Sequence, residues 1–305
     1  MTQITASMVK ELREKSGAGM MDAKKALQEV DGNMDEAVDL LRKKGMAKAD
    51  KKSSRTAAEG LVAIVSEGTT GAIVEVNSET DFVARNDQFQ GFVRSVAKNA
   101  LDVNSTEELM TSDLDGKNVS DTITNLVATI GEHMNVRRME KLTVSEGAVV
   151  GYVHNATAEG LGKIGVLVAL ESAGDQAVLS GLGKQLAMHV AAAFPKYLDR
   201  DSVDTAEMER ERNVIREQAL AEGKPAEIVE KMLEGRMRKF YEEICLLDQT
   251  FVIDGETKIA ALLENAAKDV GAPVKLAAYA RFQLGEGIEV VEEDFAAEVA
   301  AVANA

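Results

Sequence analysis

Hydrophobic positions along this chain change their spacing several times, and each change marks a new segment. Over residues 1–45 they recur at three- and four-residue intervals: Val9 and Leu12, then Ala23, Ala26, Leu27 and Val30, then Met34, Ala37, Val38 and Leu41. Side chains so spaced share one helical face, so three short helices are predicted. Gly32 is suited to end the second helix. Asn33 with Glu36 three residues on resembles a capping box for the third, and Gly45 is expected to stop it in a left-handed conformation. So small a globule buries little of its surface, which suits a docking appendage on a larger body. Residues 48–55 are charged and lack apolar periodicity, and they read as a solvated linker or an exposed helix end rather than a nucleic-acid patch.

At Gly60 the pattern becomes that of strands. Residues 61–65 and 72–76 flank Gly68-Thr69-Thr70-Gly71, which predicts a β-hairpin. Phe89, Phe92, Val93 and Val96 then fall on one helical face, predicting a helix packed back on the sheet. A second helix, capped by Ser120, carries Ile123, Leu126, Val127 and Ile130, and residues 136–144 return to the sheet; residues 102–119 give no defined element. A comparable order recurs: residues 147–153, a loop with Gly160 and Gly162, a strand over 164–170, and a long helix over about 175–194. This predicts two related α+β subdomains side by side, whether by duplication or by convergence on a common motif.

Residues 204–243 are helical and highly charged, interrupted by Gly223-Lys224-Pro225, which predicts an antiparallel helical hairpin. Met208, Ile215 and Leu220 on one arm and Ile228, Met232, Met237 and Phe240 on the other are its expected seam. Sparse apolar positions among many charges favour a protruding coiled coil over an ordinary packed pair. Residues 250–253, a helix over 259–267 and a strand over 275–282 are expected to complete the second sheet. Residues 292–299 read as a short helix with acidic residues at its start, where the macrodipole favours them.

Composition narrows the partners. At 305 residues the chain exceeds one typical core, and 45% hydrophobic with 28% charged residues fits a folded protein. A net charge of −16 repels phosphate, which argues against nucleic acid or an anionic membrane as the main partner. Cys245 is the only cysteine, so no internal disulfide is expected, in keeping with a reducing cytoplasm. The first residues lack a signal-peptide pattern, and no segment approaches the ~20 apolar residues that span a bilayer. A soluble, cytoplasmic protein is expected.

Reactive constellations are lacking. No phosphate-loop sequence occurs, and Gly162-Lys163-Ile164-Gly165 and Gly181-Leu182-Gly183-Lys184 read as turn or helix-packing glycines. His133, His154 and His189 lie far apart beside one cysteine, giving little support for a nucleophilic or zinc site. Asp31, Asn33 and Asp35 alternate like the start of a calcium loop, but Glu36 stands where that loop needs glycine. Cys245, between Ile244 and Leu246, reads as a core thiol. No catalytic residue, cofactor or metal site is expected.

The polar stretch over residues 77–86 sets a bulky aromatic directly after an apolar strand. From physics alone Phe82 would tuck into its own core. Yet Thr80-Asp81-Phe82-Val83-Ala84 resembles the signature of the bacterial elongation factor Ts family. So do Leu12-Arg13-Glu14-Lys15-Ser16-Gly17-Ala18-Gly19-Met20-Met21-Asp22-Ala23-Lys24-Lys25-Ala26-Leu27 and Gly285-Glu286-Gly287-Ile288. The similarity covers nearly the whole chain; residues 102–119 match poorly and the 155–160 loop looks enlarged.

The resemblance implies an α+β fold with a ubiquitin-associated-like (UBA-like) helical module and linker over 1–56 and a core N-subdomain over 57–143. A core C-subdomain over 144–196 and 246–286, a coiled-coil hairpin over 197–245 and a C-terminal module over 287–305 complete the layout. It implies a guanine-nucleotide exchange factor that promotes GDP release from elongation factor Tu. Thr80, Asp81, Phe82 and Val83 would disturb that partner's magnesium and phosphate site, with Phe82 as wedge and Asp81 in an electrostatic role. Met20 and Met21, beside Gly17 and Gly19, would either help dock the module or fill its core, and His154 is a further contact candidate. Higher-order assembly through the coiled coil stays open. The alternative is a UBA-like protein-binding scaffold without exchange activity.

Overall fold

The computed structural model describes residues 3–289. Helices α1 (Ala6–Ser16), α2 (Met20–Glu29) and α3 (Met34–Lys52) enclose a small core of Val9, Leu12, Ala23, Ala26, Leu27 and Ala37. Asn33 caps α3: its Oδ1 accepts from the backbone N–H of Asp35 and Glu36, and its Nδ2 donates to Glu36 Oε1 at 2.7 Å. Glu36 thus reaches the cap's side chain rather than its backbone N–H, a variant of the expected box.

Gly45 does not stop α3, which runs on to Lys52. The glycine is buried against helix α6 (Val119–Ile130), where a Cβ would lie 3.2 Å from the Cβ of Ala128. Its smallness permits a close helix crossing, and packing overrides the local stop signal. Residues 48–52, read as linker or helix end, are the last turns of this helix.

Strands β1 (Glu59–Glu67) and β2 (Thr70–Ser78) form the predicted hairpin around Gly68-Thr69, with Gly68 at φ +60°. Strand β5 (Met134–Thr143) pairs with β2, and α4 (Asp87–Asn99) covers the outer face. The undefined stretch holds α5 (Thr106–Thr111) and a two-strand ribbon of β3 (Asp113–Leu114) and β4 (Lys117–Asn118). Asn118, not Ser120, caps α6, its Oδ1 accepting from Asp121 N–H at 2.6 Å. Ser120 already lies inside the first turn.

Strands β6 (Gly147–Ala158), β7 (Leu161–Glu171) and β8 (Lys275–Gln283) form a second antiparallel set, covered by α7 (Gln176–Ala193) and α10 (Ile259–Val270). Residues 155–158, expected in a loop, belong to β6, which takes a register shift there with Asn155 at φ +52°. Gly162 and Gly165 lie within β7 rather than in a turn; a Cβ on Gly165 would stand 2.7 Å from Val62 of the facing strand. Residues 250–253 make no strand but a turn with a single bridge from Thr250 to Lys258.

The two strand sets join through Val62–Gly162 and Ala63–Leu161, so β1 and β8 share one edge of β7. They also pack face to face. Leu61, Ala63, Val74 and Val76 point to α4 and α6, whereas Val62 and Ile73 meet Leu167, Ala169 and Phe282 of the other set. Along β7 the next residues, Val166, Val168 and Leu170, point to α7. The result is a helix–sheet–sheet–helix stack in which the inner strands are buried on both faces, which explains their near-continuous apolar runs.

Helices α8 (Thr205–Ala221) and α9 (Ala226–Ile244) form an antiparallel pair. Ile215, Leu233 and Met237 are its buried seam, with Met208, Phe240 and Tyr241 packed alongside and Ala219 and Val229 also buried. Leu220 and Ile228, expected in the seam, are exposed: next to the Gly223-Lys224-Pro225 turn, their neighbours Ala219 and Val229 take the inward positions. The expected helix over 292–299 lies outside the described residues.

Candidate functional site

Strand β2 runs buried from Gly71 to Ser78, and at its end the chain turns into an exposed loop. Ser78 Oγ donates to Thr80 O at 3.0 Å. The backbone N–H and hydroxyl of Thr80 donate to the two carboxylate oxygens of Glu132, at 3.0 and 2.7 Å. Beyond the loop, Val83–Arg85 form a single 3-10 turn with Val83 and Ala84 buried. Asn86 caps α4 through Gln88 and Phe89 N–H, and Gln90 Nε2 donates to Ala84 O.

Between these anchored ends Phe82 is 77% exposed. A phenylalanine gains about 2 kcal/mol from full burial, and Phe82 forgoes most of it. Burial in its own core, the expectation for an isolated aromatic, is not what the chain does. The anchor is instead Val83, at 4% exposure. Asp81 is exposed as well, its carboxylate 3.9 Å from Arg85 Nη2 in a loose, solvated ion pair.

Met20 and Met21 open α2 and are 60% and 62% exposed, so they do not fill the module's core. His154 is an exposed residue of β6, its Nδ1 3.0 Å from the hydroxyl of Tyr152. Thr80 to Val83 therefore form one contiguous feature, and the methionines and His154 stand on separate elements.

Two groups near the loop gave little sign in the sequence. The first is Glu75, wholly buried in β2. It accepts from Arg138 Nε at 2.6 Å, Gly285 N–H at 2.8 Å, Arg137 Nη1 at 3.0 Å and Asn77 Nδ2 at 3.1 Å. Burial pushes its carboxyl up, but the bonds from Gly285, Asn77 and Arg138 outweigh that and hold it below the usual range. A lone carboxylate in the apolar run Ala72-Ile73-Val74-Glu75-Val76, with Arg137-Arg138 later, was the available signal. The second is Glu132, whose partner Thr80 is 52 residues away, and no sequence signal joins them.

Other candidates for chemistry are accounted for structurally. His189 is buried; Gln249 Oε1 lies 2.9 Å from its Nε2, and Val252 N–H donates to its Nδ1 at 3.2 Å. Burial pushes the Cys245 thiol up to about 11, which keeps it protonated and unreactive near neutrality. Among the described residues no group of three or more His, Cys, Asp and Glu side chains is placed to hold a metal ion. No helix among them is long and apolar enough to cross a membrane.

Fold and site together define a mixed α/β protein that presents an exposed aromatic on an anchored loop. A family model described as elongation factor TS matches residues 79–286, from the loop to the turn that Glu75 holds. Curated proteins named elongation factor Ts are similar over the full length. The one from Paramagnetospirillum magneticum is 62% identical, covering 100% of this chain and 98% of its own. That from Rhizobium etli strain CFN 42 is 59% identical over 99% of both, and that from Rhodospirillum centenum 59% over 100% of both. The chain belongs to the elongation factor Ts family, and its role is in translation elongation.

Proposed function

We propose that this chain is a guanine-nucleotide exchange factor for the GTPase elongation factor Tu, acting in the cytoplasm by binding rather than by bond chemistry. The observation that carries the reading is the 77% exposure of Phe82 on a loop fixed at both ends. In a GTPase, GDP is held by backbone amides, a lysine and a magnesium ion that bridges protein and phosphate. An aromatic pressed into the elements around that ion displaces several of these contacts together. Asp81, exposed beside Phe82, supplies negative charge that competes for the cations there. Thr80 and Val83 set the loop, and Met20, Met21 and His154 extend the docking surface.

Coupling is mutual: if the factor lowers GDP affinity, GDP lowers the factor's affinity by the same ratio. The factor therefore leaves when GTP, magnesium and the partner's own contacts are restored, and it can act repeatedly. The α8–α9 pair is read as a coiled-coil arm, available for higher-order contacts. Catalytic amounts of the chain should accelerate release of labelled GDP from purified elongation factor Tu. An unchanged release rate would contradict the reading.

A further inference from the structure

We propose that Glu132 is the positioning residue for Phe82; this rests on the exchange reading above. Its carboxylate takes both hydrogen-bond donors of Thr80, the backbone N–H and the hydroxyl. On the other side of the loop Val83 and Ala84 are buried and Asn86 caps α4. Asp81 and Phe82 are the exposed residues between the two fixed points, and Phe82 O accepts from Arg85 N–H at 3.1 Å.

The physical need for such a hold follows from the exposure of Phe82. A loop free to relax would fold its aromatic ring over neighbouring apolar surface, since that removes ring area from water. Thr80 held by Glu132 on one side and Phe82 O bonded to Arg85 N–H on the other together restrict the backbone rotation that this requires. Phe82 then meets the partner already ordered, and docking need not supply the ordering entropy.

Glu132 is itself held. Its turn, residues 131–133, joins α6 to β5 and is tied to the end of α3: Lys52 donates to Gly131 O, and His133 Nδ1 donates to Arg55 O at 2.7 Å. Glu79, the residue before Thr80, accepts from His133 N–H and from Arg55 Nη1, the latter at 3.2 Å. Glu79 thus joins the root of the loop to Arg55, just beyond α3, and Glu132 joins it to the turn whose Gly131 carbonyl Lys52 of α3 holds. Glu132 acts through Thr80, not by touching the nucleotide.

The test uses the full-length chain with Glu132→Ala, Glu132→Gln and Thr80→Val, alone and combined. Amide hydrogen exchange of the free variants reports on the hold, and release of a fluorescent GDP analogue from the partner GTPase reports on its consequence. Glu132→Ala should reduce protection at Thr80 by about tenfold, the factor that corresponds to ~1.4 kcal/mol and to loss of a charge-assisted hydrogen bond. Release at saturating factor should slow by a similar factor, while the half-saturating concentration moves less than about threefold, the pattern of a group acting after docking.

Glu132→Gln should rescue, because its amide can accept from Thr80 N–H and donate to Thr80 Oγ1. Adding Thr80→Val to Glu132→Ala should cost little more, since both act through one contact. Parental release by Glu132→Ala at saturation, or equal slowing by the Ala and Gln variants, would overturn the positioning role. If the unmodified chain does not speed release, the exchange reading falls. Protection at Thr80, measured without a partner, separates that failure from failure of the hold.

Discussion

The carboxylate of Glu75 accepts a 2.8 Å hydrogen bond from the backbone N–H of Gly285, a residue 210 positions later. Strand β2, which leads into the Phe82 loop, is thereby fastened to the turn that ends the described chain. Arg137 and Arg138 complete the cluster, each about a quarter to a third exposed, and Arg137 also donates to Glu286 O at 2.6 Å.

Removing the Glu75 carboxylate leaves two arginines without their shared partner. Glu75→Ala should destabilise the fold by about 3 kcal/mol, the low end for a broken buried pair because the arginines keep some solvent. Denaturant midpoints of the two proteins check this. Because the folded-state carboxyl is held below its usual range, its contribution is complete above the unfolded pKa and is lost as pH falls through the lower folded one. The unmodified chain should therefore lose stability below about pH 4 more steeply than Glu75→Ala.

His189 gives a second pH dependence at a higher window. Burial lowers its pKa, partly opposed by the bond to Gln249, so the folded state favours the neutral ring. Its contribution is complete above the unfolded value of about 6.5 and declines as pH falls from there through the folded value. His189→Ala should lower stability by about 2 kcal/mol through lost packing and an orphaned Gln249. It should also flatten the stability profile on the acid side of about pH 6.5, read from thermal midpoints.

Gly45 and Ala128 set the distance between α3 and α6. Gly45→Val overfills this crossing and should destabilise by about 1–3 kcal/mol. Gly45→Ala is the finer case: a Cβ there meets that of Ala128 at 3.2 Å, while helix propensity favours alanine. Pairing Gly45→Ala with Ala128→Gly should recover parental spacing. Recovery of module protection by the pair, measured by amide exchange, is expected; failure to recover would show that the contact does not set the crossing.

How much of this was legible in the sequence varied with the range of the interaction. Local signals were sound: the 3.6-residue stripe of Phe89, Phe92, Val93 and Val96 became the buried face of α4, and Gly68 made the β1–β2 turn. Local signals failed where distant packing overrode them. Gly45 looked like a helix stop because its contact with Ala128 is not local, and residues 250–253 looked like a strand although Phe251 turns inward toward His189. The Phe82 loop was found by its motif, not by physics, which favoured burial. What keeps it exposed, Glu132 on another turn, lies beyond any spacing rule.

The most direct measurement compares the unmodified chain with Phe82→Ala in the release of labelled GDP from elongation factor Tu, at saturating factor and with affinities measured in parallel. Phe82 is largely exposed, so the substitution should change fold stability by no more than about 0.5 kcal/mol. Release should slow by at least about tenfold, well beyond any weakening of the complex, if the ring acts after docking. Equal losses in both, or release at the parental rate, would contradict the assignment of Phe82 as the wedge.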